Sequence, residues 1–160
     1  PCVQILVGHS LGGAAVLVAG REIPEVRAVA TIAAPARTTQ LRDLLVRQAP
    51  EIMDTGEATV DVMGHRVRIK KQMLEDFGRY EPQDAARQLG KPLLVFHSPI
   101  DDISDISNAH QIFEAAAHPK SFISLDGADH LLIARERDAR FVAEMLATWA
   151  QRYLAAPENG

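Results

Sequence analysis

The sequence predicts an α/β fold with a mostly parallel sheet flanked by helices. Two observations carry this prediction: short, nearly continuous apolar runs recur along the chain, and segments with helical spacing separate them. Continuous apolar runs are typical of strands in a parallel sheet that is covered on both faces. With 160 residues, of which 47% are hydrophobic and 24% charged, the chain is long enough to form a domain with such a core.

The predicted strands are the apolar runs at residues 3–7, 26–32, 92–97 and 121–125, and the first and third runs are expected to be covered on both faces. Residues 11–21 are rich in Ala, Val and Leu and stop before Pro24, which predicts a helix. Residues 108–118 stop before Pro119 in the same way, and residues 135–154 carry apolar side chains at helical spacing. Helices between strands are what parallel pairing requires, because parallel neighbours need a crossover connection.

Residues 36–90 interrupt this alternation and are predicted to form a small, lid-like insertion. A helix is predicted over 39–48, and alternating residues over 58–69 predict a β-hairpin with Gly64 at its turn. Two further helical stretches complete the insertion. A gating lid and a plain packing insertion fit this pattern equally well, so both interpretations stay open.

Composition disfavours several classes of partner and location. The net charge is −4 and the basic residues are scattered, whereas nucleic-acid binding needs a clustered basic surface. No apolar run reaches the roughly 18 residues of a membrane span, so we expect no membrane partner. Cys2 is the only cysteine, so no intrachain disulfide can form, which favours a reducing, cytoplasmic location.

The strongest local signal is the segment Gly8-His9-Ser10-Leu11-Gly12, which stands between the first predicted strand and the first predicted helix. This is the G-x-S-x-G pattern of a nucleophile elbow in the strand–helix context it requires. Gly8 and Gly12 are expected to remove side chains that would clash, and Ser10 to be held in a strained turn with its hydroxyl exposed. The N–H of Leu11, at the positive end of the helix, is the predicted oxyanion donor. His9, at the variable position, is expected to be packed or hydrogen-bonded.

A serine hydroxyl is a weak nucleophile that needs a base, and the base needs an acid to orient it. In this arrangement the acid and then the histidine follow on loops after later strands. The loop after the third predicted strand offers Asp101 and Asp102, and the loop after the fourth ends in His130. We therefore predict a catalytic triad of Ser10, Asp101 and His130, with Asp102 as the alternative acid.

The other histidines do not indicate a metal site. None of His65, His110 and His118 has a second His, Cys or carboxylate at ligand spacing, and His97 at the end of a strand is expected to be structural. Asp129, beside His130, is expected to be a turn residue. We predict no metal and no cofactor.

These motifs resemble those of the α/β-hydrolase superfamily. The resemblance is carried by residues 8–13, by Gly-Ala-Asp-His at 127–130, and by His-Ser-Pro-Ile-Asp at 97–101, where many members have His-Gly-x-x-Asp. The last segment makes Asp101 the preferred acid. A narrower resemblance, at 108–109, 118–122 and 124–132, is to the hydrolase domain of bacterial two-part proteins in which an OsmC-like domain follows.

The resemblance implies that residues 1–160 are the C-terminal half of one α/β-hydrolase domain. The chain begins at Pro1, directly on a predicted strand, so we expect the natural protein to begin farther upstream. The preceding part of such a domain would supply a second oxyanion N–H and a strand that pairs with the open edge of residues 3–7. A fused OsmC-like domain is the expected partner.

The function that the sequence predicts is that of a serine hydrolase, which cleaves carboxylic esters or thioesters of small acyl substrates through an acyl-enzyme. The alternative is a non-catalytic hydrolase-fold module that docks a partner domain, such as the OsmC-like one. A thiol-based redox role for Cys2 is disfavoured, because the chain has no resolving cysteine.

Overall fold

A computed structural model describes residues 4–62 and 64–154. Within them the chain forms two compact units, one made of the described residues up to Ala36 and from Pro82 onward, the other of Arg37–Glu81. The predictions for Cys2 fall outside the described residues. No helix in the described ranges is long and apolar enough to cross a membrane.

The secondary structure alternates as predicted on both sides of the second unit. In chain order the elements are β1 (Ile5–His9), α1 (Leu11–Glu22), β2 (Ala28–Ile32), α2 (Thr39–Gln48), α3 (Ile52–Thr55), β3 (Glu57–Val62), β4 (His65–Lys70), α4 (Lys71–Arg79), α5 (Pro82–Arg87), β5 (Leu93–His97), α6 (Ser107–Ala115), β6 (Lys120–Ser124) and α7 (Glu136–Leu154).

The first unit is built on a four-stranded sheet in the order β1-β2-β5-β6, and every neighbouring pair is parallel. The predicted parallel sheet is thus confirmed. The ladder between β1 and β2 continues through Gly8 and His9, which pair with Thr31 and Ile32. As a result β1 ends later than the apolar run that predicted it, and the motif residues before Ser10 are held in the sheet.

Two clusters of buried side chains form the core of this unit. Leu17, Val29 and Val95 belong to one cluster, and Ala30 and Phe96 belong to the other. Side chains of successive strand residues point to opposite faces of the sheet, so these clusters lie on its two faces. Full burial of each large side chain contributes about 1.5–3 kcal/mol to the free energy of unfolding.

The central strands β2 and β5 are buried along their whole length. By contrast β1 is an edge strand of the described sheet, and Val7 is 45% exposed. The open edge expected at residues 3–7 is thus found on β1, whereas the exposure of Val7 shows that, within the described residues, this strand is not covered on both faces as expected.

Helix α6 ends earlier than its apolar pattern predicts. The pattern extends to His118, whereas the helix ends at Ala115 and Ala116 is already extended. The ring of Pro119 disfavours helical backbone at the residue before it, so the chain must leave the helix ahead of His118. Backbone sterics at Pro119 thus keep His118 out of the helix, although the hydrophobic spacing extends to it.

The second unit contains α2, α3, α4 and the antiparallel hairpin of β3 and β4. The hairpin and α2 occur where they were predicted, whereas the four-residue helix α3 was not predicted. Gly64 at the turn has φ +80°, and its N–H donates to the carboxylate of Asp61 over 2.9 Å. The gating role that the sequence suggests for this segment stays a prediction.

The first unit is interrupted after Ala36 and resumes at Pro82. The two ends of this interruption lie next to each other, since the N–H of Gln83 donates to the carbonyl of Ala36 over 3.0 Å. The N–H of Ala36 in turn donates to the side-chain oxygen of Asn108 on α6 over 2.9 Å. These bonds let the first unit fold around its sheet although residues 37–81 separate its two parts in sequence.

Candidate active site

Ser10 forms the turn between β1 and α1, and its backbone has φ 52° and ψ −123°. A residue other than glycine in such a region costs about 1–3 kcal/mol and persists only where its surroundings fix it. Two backbone bonds fix Ser10: its N–H donates to the carbonyl of Ile32 over 2.8 Å, and its carbonyl accepts from the N–H of Gly13 over 2.9 Å. The strained turn predicted from the sequence is present.

The glycines of the elbow have different roles. A Cβ on Gly8 would lie 2.1 Å from the carbonyl oxygen of Gly12, and a Cβ on Gly13 would lie 2.6 Å from the Cβ of Ala34. Nothing in the described ranges lies within 4 Å of a Cβ built on Gly12. The steric reason predicted for Gly12 is therefore wrong, and Gly13, to which the sequence analysis gave no role, has that reason instead.

His130, on the loop after β6, lies between the other two predicted triad residues. Its Nδ1 is 2.8 Å from Oδ2 of Asp101, and its Nε2 is 3.1 Å from Oγ of Ser10. An ionised carboxylate only accepts hydrogen bonds, so Nδ1 carries the hydrogen. In the neutral ring Nε2 then accepts the hydroxyl hydrogen of Ser10, which is the tautomer that a general base needs.

The backbone of its own loop fixes the carboxylate of Asp101 by hydrogen bonds. Its Oδ1 accepts the N–H groups of Ile103, over 2.9 Å, and of Ser104, over 2.8 Å, and its side chain is 0% exposed. Burial by itself raises the pKa of Asp101, but the hydrogen bonds from Ser104, His130 and Ile103 outweigh burial and lower the pKa below its ordinary value. Asp101 is therefore ionised at neutral pH.

The structure brings Asp101, and not Asp102, against His130. Asp102 is exposed to solvent. The third aspartate of this loop, Asp105, accepts the N–H of Ser107 over 2.8 Å at the start of α6. Hydrogen bonds from the side chain and the N–H of Ser107 lower the pKa of Asp105, which is a helix-start role rather than a contact with the base.

His9 connects the elbow to the loop of His130. Nε2 of His9 lies 2.7 Å from the carbonyl oxygen of His130, and the two ring centroids are 4.9 Å apart. A carbonyl oxygen only accepts, so His9 donates this bond. His9 is thus the hydrogen-bonded residue that the sequence led us to expect, and its partner is the backbone of the predicted base.

The loop of His130 has its own local support. Asp129 accepts the N–H of Ala134 over 2.9 Å and that of Ile133 over 3.3 Å, and these bonds lower the pKa of Asp129. Arg135 donates to the carbonyl of Gly127 and, over 2.9 Å, to the carboxylate of Asp138. Asp129 is therefore a turn residue, as predicted.

Leu11 is the first residue of α1 and follows Ser10 directly. The first N–H groups of a helix have no acceptor within the helix, and the helix dipole places positive charge at that end. The N–H of Leu11 can therefore stabilise negative charge on an oxygen bound next to Ser10.

Among the described residues no group of three His, Cys, Asp or Glu side chains could hold a metal ion, and the absence of a metal stays a prediction.

Solved structures similar to this chain include an esterase domain from a Rhodothermus marinus protein, at 53% identity and TM-score 0.82 over 95% of this chain and 62% of that one. Alpha/beta hydrolase domain-containing protein 10 from mouse is similar at 23% identity and TM-score 0.72, over 95% and 63%. A monoacylglycerol lipase from Paleococcus ferrophilus is similar at 19% identity and TM-score 0.61, over 90% and 68%.

At their identities of 23% and 19%, the mouse and Paleococcus structures show a shared fold alone. The chain spans 62% and 63% of the length of the Rhodothermus and mouse structures. No protein-family model and no curated protein matches the chain.

Proposed function

We propose that this chain, which has the α/β-hydrolase fold, is a serine hydrolase that cleaves carboxylic esters or thioesters of small acyl substrates. One observation carries the proposal: Ser10, His130 and Asp101 form a continuous hydrogen-bonded series, with 3.1 Å between hydroxyl and imidazole and 2.8 Å between imidazole and carboxylate. A serine hydroxyl in such a series becomes a usable nucleophile at neutral pH.

In the first half of the proposed reaction, Oγ of Ser10 bonds to the carbonyl carbon of the substrate while Nε2 of His130 takes the hydroxyl proton. The electrons of the carbonyl π bond move to its oxygen, whose negative charge the N–H of Leu11 stabilises. The tetrahedral intermediate then collapses, the bond to the leaving oxygen or sulfur breaks, and His130 returns the proton to that atom. Ser10 is left acylated.

In the second half, His130 accepts a proton from water as the water oxygen bonds to the acyl carbon. Collapse of the second intermediate breaks the bond to Oγ of Ser10, which takes the proton back from His130 and releases a carboxylic acid. Asp101 stays ionised throughout, because its pKa is lowered, and it stabilises the charged imidazolium that forms in each half.

The comparisons support an ester-cleaving reaction of this type. The Rhodothermus structure is described as an esterase domain, and more than half of the aligned residues are identical at 53%. Since the chain spans 62% of that domain, we also propose that residues outside this sequence supply a second oxyanion N–H and part of the acyl pocket.

A fused OsmC-like domain and a cytoplasmic location remain predictions from the sequence.

A fluorophosphonate probe tests the proposed function, because it reacts with activated serines irrespective of the natural substrate. We would label both this chain and the natural full-length protein that contains it, and locate the adduct by mass spectrometry. We expect an adduct on Ser10 that is lost in Ser10→Ala and in His130→Ala. Ser107→Ala, which removes an exposed serine, should label like the unchanged protein.

Each outcome of this experiment decides between the two functions. An adduct on Ser10 in the full-length protein alone means that residues outside this sequence complete the site. Absence of an adduct in both folded proteins contradicts the hydrolase proposal and favours a non-catalytic module that docks a partner domain.

A further inference from the structure

We propose that His97 is a positioning residue that fixes the triad acid, an inference that depends on the proposed function of Asp101. His97 is the last residue of β5 and is 0% exposed. Its Nε2 lies 2.7 Å from the carbonyl oxygen of Ser104 and 3.8 Å from Oδ2 of Asp101. Because a carbonyl oxygen only accepts, the hydrogen of this bond lies on Nε2 of His97.

The bond from His97 acts on the residue that holds Asp101. The N–H of Ser104 donates to Oδ1 of Asp101 over 2.8 Å, while the carbonyl of Ser104 accepts from His97 over 2.7 Å. The peptide groups on both sides of Ser104 are therefore fixed, one to the acid and one to the end of β5. This connection ties the carboxylate to the sheet instead of to a free loop.

Oδ2 of Asp101 must keep its direction toward Nδ1 of His130, because the orientation of the base depends on that bond. The two N–H groups on Oδ1 determine how the carboxylate is turned. His97 fixes one of these two donors, so loss of its bond would let the carboxylate rotate away from the base while the fold persists.

A role in packing alone does not account for a histidine at this position. The neighbouring β5 residues Leu94, Val95 and Phe96 are apolar and at most 1% exposed, and Nδ1 of His97 has no hydrogen-bond partner among the described residues. A buried nitrogen without a partner is unfavourable, and an apolar side chain would avoid that cost. What an apolar side chain cannot supply is the N–H that reaches Ser104.

The experiment compares His97→Gln with His97→Asn. Both are amides, but only the amide nitrogen of Gln reaches the position of Nε2, so the pair tests the hydrogen bond and not polarity. We expect His97→Asn to lower kcat on an activated acetate ester about a hundredfold, the typical effect of a displacement near 1 Å in an active site. KM should change little, and His97→Gln should recover most of the loss.

A second readout follows the acid–base pair without turnover. The hydrogen on Nδ1 of His130, bonded to a carboxylate, gives a far-downfield proton resonance. We expect this resonance to persist in His97→Gln and to broaden or vanish in His97→Asn. Thr31→Val is the matched control, since Thr31 is 0% exposed in the same sheet and its hydroxyl lacks a partner among the described residues.

Thr31→Val should keep both kcat and the resonance. The proposal is overturned if folded His97→Asn keeps the kcat and the resonance of the unchanged protein, or if Gln and Asn lower kcat equally. If neither the unchanged protein nor any variant turns over an ester, the proposed hydrolase function fails. If the resonance is nevertheless kept in His97→Gln and lost in His97→Asn, the positioning role stands.

Discussion

In the loops that carry the acid and the base, an aspartate accepts hydrogen bonds from backbone N–H groups, but with different results. In the loop after β5, Asp101 gathers the N–H groups of Ile103 and Ser104 on one oxygen, Oδ1. In the loop after β6, Asp129 gathers two N–H groups as well, but one on each oxygen. Asp101 thus keeps Oδ2 clear of the loop N–H groups, and that oxygen accepts from His130.

Burial also affects the carboxylates of these two aspartates. The side chain of Asp101 is 0% exposed. Hydrogen bonds lower the pKa of both carboxylates against an opposing effect of burial, which is the largest single cause at Asp101 and the second largest at Asp129. A turn aspartate can thus serve as the acid of a triad when one oxygen stays free and water is excluded, and otherwise only caps its loop.

The largest effect expected from this comparison is that of Asp101→Asn. An amide at this position can donate to Nδ1 of His130 and so favour the wrong tautomer of the base. We expect kcat to fall by about 10⁴-fold, as for the equivalent change in other serine triads. The rate of fluorophosphonate labelling should fall with it, and a loss below about tenfold would contradict the role of Asp101.

Asp129→Ala should have a smaller effect, because it loosens the loop of the base without removing a triad member. We expect kcat to fall about tenfold or less, since His9 still holds the backbone of His130. Asp129→Asn keeps one of the two acceptor oxygens, so it should lower kcat less than Asp129→Ala does. Turnover assays at fixed pH distinguish the variants, and a loss as large as that of Asp101→Asn would erase the distinction between the two loops.

The lowered pKa of Asp101 also predicts a change of stability with pH. The unfolded chain, with Asp near its ordinary value of about 3.9, binds more protons than the folded chain as pH falls, so the carboxylate stabilises the fold above that value. This stabilisation is lost as pH falls through the lower folded pKa. The free energy of unfolding of Asp101→Asn should therefore fall less steeply with decreasing pH than that of the unchanged protein.

Urea unfolding of both proteins at about pH 6 and about pH 3 measures this difference. The gap in unfolding free energy between the unchanged protein and Asp101→Asn should narrow at the lower pH. A gap of constant size would mean that the carboxylate of Asp101 gains nothing from its hydrogen bonds.

The smallest effect is expected for Asp102→Asn. Asp102 neighbours the triad acid in sequence but is exposed, and surface substitutions of this kind change stability by about 0.5 kcal/mol or less. We expect kcat within about twofold of the unchanged value. A large loss in an ester-hydrolysis assay would contradict the assignment of Asp101, rather than Asp102, as the triad acid.

Much of the fold could be predicted from the sequence, because hydrophobic runs and helical spacing are local signals. The edges of elements were less predictable: β1 continues through Gly8 and His9, which no apolar pattern marks, because pairing with β2 decides where the strand ends. The four residues of α3 are too few to show a period.

The sequence predicts those residues of the candidate site that have a characteristic residue type and spacing. The choice of Asp101 over Asp102 depends on which carboxylate the turn buries, and this is a property of three-dimensional structure. The part played by His97 was not predictable, because its partner is a backbone carbonyl, which every residue has. The steric role of Gly13 depends on Ala34, a residue distant in sequence.

The hydroxyl of Ser10 and the ring of His130 are 3.1 Å apart, although 120 positions separate them along the chain. Between them, β2 must first pair with β5 across the whole of residues 37–81. Pairings of such long range form slowly, because the loop must close before the contacts are gained. During refolding, reactivity of Ser10 should thus return after the helical signal, so that the serine reports the completion of folding rather than its onset.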